Sequence, residues 1–334
     1  MAEQLHHYVP RFLLRRFGQD GELLYAMDKH TGKRFQISTS KRSNLEIAAE
    51  RGMYDFEFMG TPVTLEPALS ALEAKAASMI ERIVRDETLD HSRPEERATL
   101  AGFLAVQMVR TRAAWKTHQE FFGRMEAWLR REDAPDEYFA PAPLVGGGEN
   151  AEKALRAKII CNAATNFGPA IAEKDWVLLK TEGTAQYLMG DHPFTMLNQI
   201  DHGPRGNLGV KVKGIELYFP LSPRLALAMW CPSIQQQLLE GFKRLDELAE
   251  RAPKIASRYV KSWEEELRAV EAMRSGKALL NRPESVIHFN SLQISTAERF
   301  VFSSDGDFTL AEEMIRDNPE LRFGRRMEEA TGRF

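Results

Sequence analysis

Within six residues, His6-His7-Tyr8-Val9-Pro10-Arg11 gathers two imidazoles, a phenol and a guanidinium. Adjacent side chains on an extended backbone point to opposite sides, so one of the two histidines at most joins a given site. His7 is the choice here, because it stands at a fixed spacing from Pro10. An imidazole with an ordinary pKa of about 6.5 suits a general base or a metal ligand near neutral pH. The bland reading is a histidine that bonds the backbone and locks a turn. Asp191-His192, before Pro193, offers a carboxylate and a second imidazole at a predicted strand end. With His7 they make an oxygen-and-nitrogen donor set for a divalent metal, with Asp191 and His192 as its ligands. The alternative for Asp191 is a turn cap that accepts backbone N–H bonds.

Two further groups fall on predicted helices. Gln107, Arg110 and Thr111 stand at i, i+3 and i+4 and share a face, with His118 nearly in line. Arg110 could clamp a phosphate or carboxylate bidentately, or form a structural ion pair. Asn290, Gln293, Ala297 and Glu298 also recur at helical spacing, and Arg299 follows. A polar group on an apolar face is costly unless it is paired. The expected site therefore joins His7, Arg110, Asp191 and Asn290 as the catalytic groups, with Glu298 supporting them. Arg11, Gln107, Thr111 and Arg299 would contact the substrate.

The elements that must position these groups are legible in outline. Val9 closes a strand or turn, and a short helix follows with Pro10 at its first position, where a missing N–H costs nothing. Phe12, Leu13, Leu14 and Phe17 supply its apolar face. Leu23–Asp28 and Lys33–Ile37 around Gly32 form a hairpin. Leu45 to Arg51 reads as one or two helical turns. Leu65, Leu69, Leu72, Ala76, Ile80 and Ile83 mark one helix, and Leu100 through Leu129 a second, unbroken one that starts at Pro94. Asp133 to Asn150, rich in alanine, proline and glycine, reads as a mobile linker. A helix from Ala151 to Glu173, bent at Gly168-Pro169, precedes strands at 176–181, 187–189, 215–220 and 225–230. A charged helical stretch spans Ser233 to Ala278. A helix from Glu284 to Arg299, a strand at 300–303 and a short helix from Leu310 end the chain. The fold class is α+β: one intertwined domain over residues 1–334, its N-terminal hairpin and C-terminal antiparallel strands packed around a largely helical middle.

Composition narrows the function classes. A hydrophobic fraction of 43% and a charged fraction of 28% are those of an ordinary globular protein, and a net charge of −3 gives no global basic field for nucleic acid. Cys161 and Cys231 are expected to be buried free thiols. No signal peptide and no apolar run long enough to span a bilayer are present in the sequence, so a cytoplasmic protein without a membrane partner is expected. Phosphate-loop, dinucleotide, kinase, serine-elbow and zinc-spacing motifs are absent from it.

His7-Tyr8-Val9-Pro10 has the His-x-x-Pro form, extended by Leu14 and Phe17. With the hairpin from Tyr25 to Phe35, Tyr54, Gln107–Thr111, Leu188–Pro193, Phe219–Pro223 and Asn290 through Ala297-Glu298-Arg299 to Phe302, it resembles the bacterial and phage family called domain of unknown function 4238. The family usually shows Ser-Asp-x-Pro where this chain has Gly190-Asp191-His192-Pro193, so a hydroxyl is missing. The resemblance implies the fold boundaries and the short list of residues, and it implies no activity. The residues, taken with this resemblance, lead to the expectation of a bacterial enzyme that cleaves a phosphodiester or similar anionic substrate, a nuclease-like effector. In it His7 is base or ligand, Asp191 and His192 hold a divalent metal, and Arg110 offsets developing negative charge. The rival is a non-enzymatic module that binds a protein or nucleic acid and whose polar cluster is structural.

Overall fold

Every residue of the segment Leu100–Arg110 is buried, and that fact organises the fold. A helix that is apolar nearly all round must be covered on every side. In the computed structural model, which describes residues 4–19, 22–40, 46–133, 135, 148–203, 207–257 and 260–324, both ends of the chain supply that cover.

The chain opens with β1 (Leu5–His7), α1 (Arg11–Arg16), β2 (Leu23–Asp28), β3 (Lys33–Ser38), β4 (Ala49–Arg51), β5 (Asp55–Phe58) and β6 (Thr61–Thr64). The helical middle follows as α2 (Glu66–Asp86), α3 (Pro94–Arg110), α4 (Arg112–Arg131) and α5 (Gly148–Ala172). Strands return as β7 (Asp175–Thr181), β8 (Met189–Gly190), β9 (Thr195–Asn198), β10 (Ile215–Ser222) and β11 (Leu225–Trp230). Helices α6 (Pro232–Arg251), α7 (Pro253–Ala256) and α8 (Val260–Ser275), strand β12 (Leu279–Asn281), helix α9 (Pro283–Thr296), strand β13 (Phe300–Ser303) and helix α10 (Thr309–Asp317) complete it. The class is α+β.

The hairpin forms as read, Leu23 opposite Ser38 and Asp28 opposite Lys33, and Gly32 takes the left-handed turn position with φ +72°. Its inner strand β2 pairs with β13, Phe300 opposite Asp28, so the two ends of the chain share a sheet ordered β3-β2-β13-β8. A second sheet, β12-β7-β11-β10-β9, is antiparallel except for the parallel β12–β7 pair. The largest apolar cluster draws on Val9, Leu13, Leu14 and Phe17 from the start, Phe103 and Leu104 from α3, Phe219 from β10 and Phe302 from β13. Small residues let α3 and α5 approach closely: a Cβ on Gly168 would lie 3.6 Å from the Cα of Gly102.

Several elements differ from the sequence reading. The expected single helix from Pro94 breaks at Thr111, which is extended (φ −74°, ψ 162°) and caps α4 by accepting the N–H of Ala114 at 3.3 Å. Arg110 is therefore the last residue of α3 and not mid-helix, and His118 lies on a different helix, its Nδ1 bonded to the carbonyl of Ala114. Ala49–Arg51, read as helical, is a strand, because β1 offers it an antiparallel partner with His6 opposite Glu50. The charged stretch after Ser233 is interrupted before Pro253. The expected linker lies largely outside the described residues, but Gly148–Asn150 already belong to α5, and the Asn150 amide bonds both the N–H and the carbonyl of Glu57. Cys231 is buried as expected, whereas Cys161 is exposed on α5. No helix among the described residues is long and apolar enough to cross a membrane.

Candidate functional site

The polar residues singled out above lie where the first strand, the α3–α4 break, β8 and the end of α9 approach one another. Two sets of hydrogen bonds hold this junction, and each reads backbone.

The first set fixes the N-terminal segment. Arg110, 1% exposed, donates from Nε to the carbonyl of Tyr8 at 3.1 Å and from Nη2 to that of His7 at 3.2 Å. Its Nη1 meets Glu73 of α2 at 2.7 Å. Burial pushes the guanidinium pKa down, but the Tyr54 and Glu73 groups beside it more than offset this. Gln107 adds a bond to the Tyr8 carbonyl at 2.9 Å, and the Tyr54 hydroxyl reaches the His7 carbonyl at 3.3 Å. What Arg110 reads of His7 is thus its main chain; the His7 ring is half-buried. His6 is the fully buried imidazole: its Nδ1 accepts the N–H of Tyr54 at 3.1 Å and its ring stacks on the Tyr54 ring at 5.3 Å. Arg11 donates to the Ser40 carbonyl at 3.0 Å.

The second set fixes the strand that carries Asp191. The carboxylate accepts three backbone N–H bonds, from Glu298 at 2.7 Å, Arg299 at 3.0 Å and Phe300 at 3.1 Å. Burial pushes its pKa up to about 6, against these donors and the nearby Lys29 ammonium. Lys29 is itself fully buried and donates to the carbonyls of Ile294 and Ala297, both at 2.6 Å, at the end of α9. Asn290 accepts from Leu188 at 2.8 Å and donates to the Gln186 carbonyl at 2.9 Å. Gln293 does the same for Gly190 and Pro193, both at 2.9 Å. Gly190 has no room for a side chain: a Cβ there would sit 2.8 Å from the Gln293 carbonyl oxygen and 3.0 Å from the Ala297 Cβ. The missing hydroxyl of the Gly-Asp-His-Pro sequence therefore has a packing cause. Glu298 pairs with Lys116 of α4, and Arg299 pairs with Asp28 at 2.9 Å.

One side-chain bond joins the two sets directly, Thr111 Oγ1 to His192 Nδ1 at 2.6 Å. Burial lowers the His192 pKa to about 4, which keeps the imidazole neutral at pH 7. Among the described residues no three His, Cys, Asp or Glu side chains are grouped to hold a metal ion. Both Asp191 oxygens face backbone donors and the His192 Nδ1 faces a hydroxyl, so the expected donor set does not fit a divalent metal.

The match of this chain to a known family spans these segments. The family model described as "Protein of unknown function (DUF4238)" matches residues 5–307. The chain belongs to this family. No curated protein and no solved structure matches it. The DUF4238 match takes in the His-x-x-Pro segment, the α3–α4 break, the Asp191 strand and the end of α9.

Groups that the sequence reading did not single out complete the junction. Tyr8 is 3% exposed; burial, with Asp191 nearby, raises its phenol pKa well above the ordinary value, while Arg112 and Arg299 act in the opposite sense. Arg156 of α5 is 6% exposed. Its Nη2 donates to the Arg110 carbonyl at 3.3 Å, and its guanidinium lies 5.6 Å from the centre of the Trp115 ring. Its Nε is buried without a hydrogen-bond partner, and no carboxylate among the described residues pairs with it. Burial lowers its pKa, the Tyr54, Glu50 and Tyr8 groups act in the opposite sense, and the like charge of Arg112 adds to the lowering. A signal existed: Arg156 shares a helix stripe with Ile160 and Ala163, both buried, where a charge requires a partner.

Proposed function

We propose that this chain binds an anionic, phosphate-bearing ligand beside Arg156, Arg112, Tyr8 and Trp115, and that it works as a binding module. The observation that carries the reading is the buried Arg156 guanidinium with a vacant Nε–H and no ion-pair partner among the described residues; the exposed Glu50 acts on it without pairing. A buried cation of this kind needs an anion, and Arg is the side chain that meets a phosphate with a fork of donors. Arg112, exposed at the start of α4, adds charge at the open side. Arg110 and Asp191 argue for binding over catalysis, because their donors and acceptors are taken up by the backbone and, for Arg110, by Glu73.

A second reading, hydrolysis of a phosphodiester, is favoured by the short Thr111–His192 bond, which sets a hydroxyl against a neutral imidazole. Against it, the Thr111 hydroxyl is buried and already caps α4.

The test is calorimetric titration with inorganic pyrophosphate and with a short single-stranded oligonucleotide at low salt. Wild type is expected to bind at least one of them, more weakly as salt rises. Arg156→Met is expected to lose about tenfold or more in affinity, near the 1.4 kcal/mol or more carried by a charge-assisted bond. Absence of binding by the wild type at low salt, or full affinity in a folded Arg156→Met variant, overturns the reading. Cleavage of the oligonucleotide, lost in His192→Gln, would decide for hydrolysis.

A further inference from the structure

The five-stranded sheet has two unlike faces. Along β10 the residues Ile215, Leu217, Phe219 and Leu221 join the largest apolar cluster, and along β11 Leu225, Leu227 and Met229 do the same. The alternate positions make the other face. It carries Tyr218, Ala226 and Ala228, packed against Met273 of α8 and against Val286 and Phe289 of α9. Glu216 and Trp230 belong to this face and stand opposite one another in the β10–β11 register. Both are half-buried. With Tyr218 they line a cavity of about 630 Å³ between the sheet, α8, β12 and the start of α9. That is the size of a site for a small organic molecule. The cavity shares no residue with the junction around Arg156.

Four glutamates and two arginines line the cavity, and the glutamates are not equivalent. Glu265 pairs with Arg282. Glu284 stands in the first turn of α9, where a carboxylate complements the helix end. Glu182 is exposed. Glu216 is held in another way. One oxygen accepts from the Gln199 amide at 3.1 Å, and the other accepts from the Tyr218 hydroxyl. Both donors are neutral, and no Lys, Arg or His pairs with Glu216 among the described residues. Arg268, the second arginine of the cavity, is exposed and donates from Nε to the Glu264 carbonyl of its own helix at 3.3 Å. The Tyr218 ring is fixed in turn by Phe289, edge-on at 5.9 Å. Burial first and the Glu216 carboxylate next, with Tyr187, raise the Tyr218 phenol well above its ordinary value, and Trp230 acts in the opposite sense. The phenol therefore stays a donor to Glu216.

This is recognition chemistry for an ammonium group. A half-buried carboxylate fixed by neutral donors keeps its charge for a ligand, and an aromatic ring attracts a cation to its face. An anion would meet an excess of glutamates. No three His, Cys, Asp or Glu side chains are grouped to hold a metal ion among the described residues. We propose that this cavity binds a small organic cation, an ammonium on an apolar body, with Glu216 as its counter-ion and Trp230 and Tyr218 packing the body.

The experiment titrates the full chain at pH 7 with benzylammonium chloride and, in parallel, with benzyl alcohol, which has the same ring and no charge. Calorimetry and tryptophan fluorescence follow both. Benzylammonium should bind saturably, in the millimolar range or tighter, and about tenfold more tightly than benzyl alcohol. Glu216→Gln keeps a hydrogen-bonding group for Tyr218 and Gln199 and should abolish that preference. Arg268→Gln removes a like charge from the cavity wall. It should tighten benzylammonium binding by about two- to fivefold and leave benzyl alcohol unchanged, a response that a purely structural Glu216 would not give. Three results each overturn the proposal: no saturable binding of benzylammonium by the wild type, equal affinity for the two ligands, or an undiminished preference in a folded Glu216→Gln variant.

Discussion

Replacing His192 by Gln should make the protein relatively more stable at acid pH. The His192 imidazole titrates at about 4 when folded and at the ordinary 6.5 when unfolded, because burial disfavours its charged form. A base with a lowered native pKa leaves the unfolded chain with more bound protons between those values, so stability is lost as pH falls from 6.5 toward 4. At pH 4.5 the linkage relation gives a loss of about 2–3 kcal/mol, against almost none at pH 7.5. Glutamine keeps a hydrogen-bonding group for Thr111 but cannot take the proton. The comparison is equilibrium urea denaturation of wild type and variant at pH 7.5 and 4.5. Wild type should lose about 2–3 kcal/mol more than the variant between the two, since contributions of the remaining groups cancel in the difference. Asp191, raised to about 6, works in the opposite sense, gaining stability as pH falls through 6, and it is present in both proteins. A difference that stays within about 0.5 kcal/mol at both pH values would show that His192 protonates freely in the fold. The neutral imidazole on which the hydrolytic reading depends would fall with it.

Arg110→Met should cost about 3–5 kcal/mol by urea denaturation, since it leaves Glu73 without its partner and takes one donor each from the His7 and Tyr8 carbonyls, which keep those from Tyr54 and Gln107; a loss under about 1 kcal/mol, ordinary for a surface change, would mean that Arg110 does not hold the N-terminal segment. Gly190→Ala should cost about 1–3 kcal/mol, because the new methyl meets the Gln293 carbonyl and the Ala297 side chain; an unchanged urea midpoint would count against the close packing of β8 on α9.

Local signals were legible where they had one physical answer. Gly32 between two alternating runs admits little but a hairpin, and the apolar spacing of Leu69, Ala76, Ile80 and Ile83 admits little but a helix with that face buried. Where the answer depended on a distant partner, the sequence did not contain it. Ala49–Arg51 becomes a strand only because β1, more than forty residues earlier, lies alongside. The candidate site divides in the same way. That His7, Arg110, Asp191 and Asn290 are out of place on apolar segments follows from their neighbours. What each one bonds does not, because an unpaired carboxylate is equally well satisfied by a ligand, a metal or three main-chain N–H groups. Arg156 shows the opposite case: its burial on an alanine-rich stripe was there to be read, but its vacant Nε appears only once α4 and α5 are packed.

The break between α3 and α4 ties these observations together. Three consecutive residues there face three ways. Arg110 turns inward and reads the main chain of the His-x-x-Pro segment. Thr111 leaves the helical conformation, caps α4 and meets His192. Arg112 is left exposed on the far side, within electrostatic reach of Tyr8 and Arg156. In a continuous helix successive residues are about 100° apart, and Arg110 and Arg112 would be fixed by that rotation alone. The extended residue at position 111 releases the constraint, so one arginine can be structural while the next stays available at the surface. The Arg110 carbonyl, freed from helical bonding at the end of α3, is the group that accepts from Arg156. The break that the Thr111 hydroxyl stabilises thus supplies both the backbone acceptor that orients Arg156 and the second guanidinium beside it. On this account loss of the cap, by Thr111→Val, weakens phosphate binding through Arg112 and Arg156 without touching either side chain.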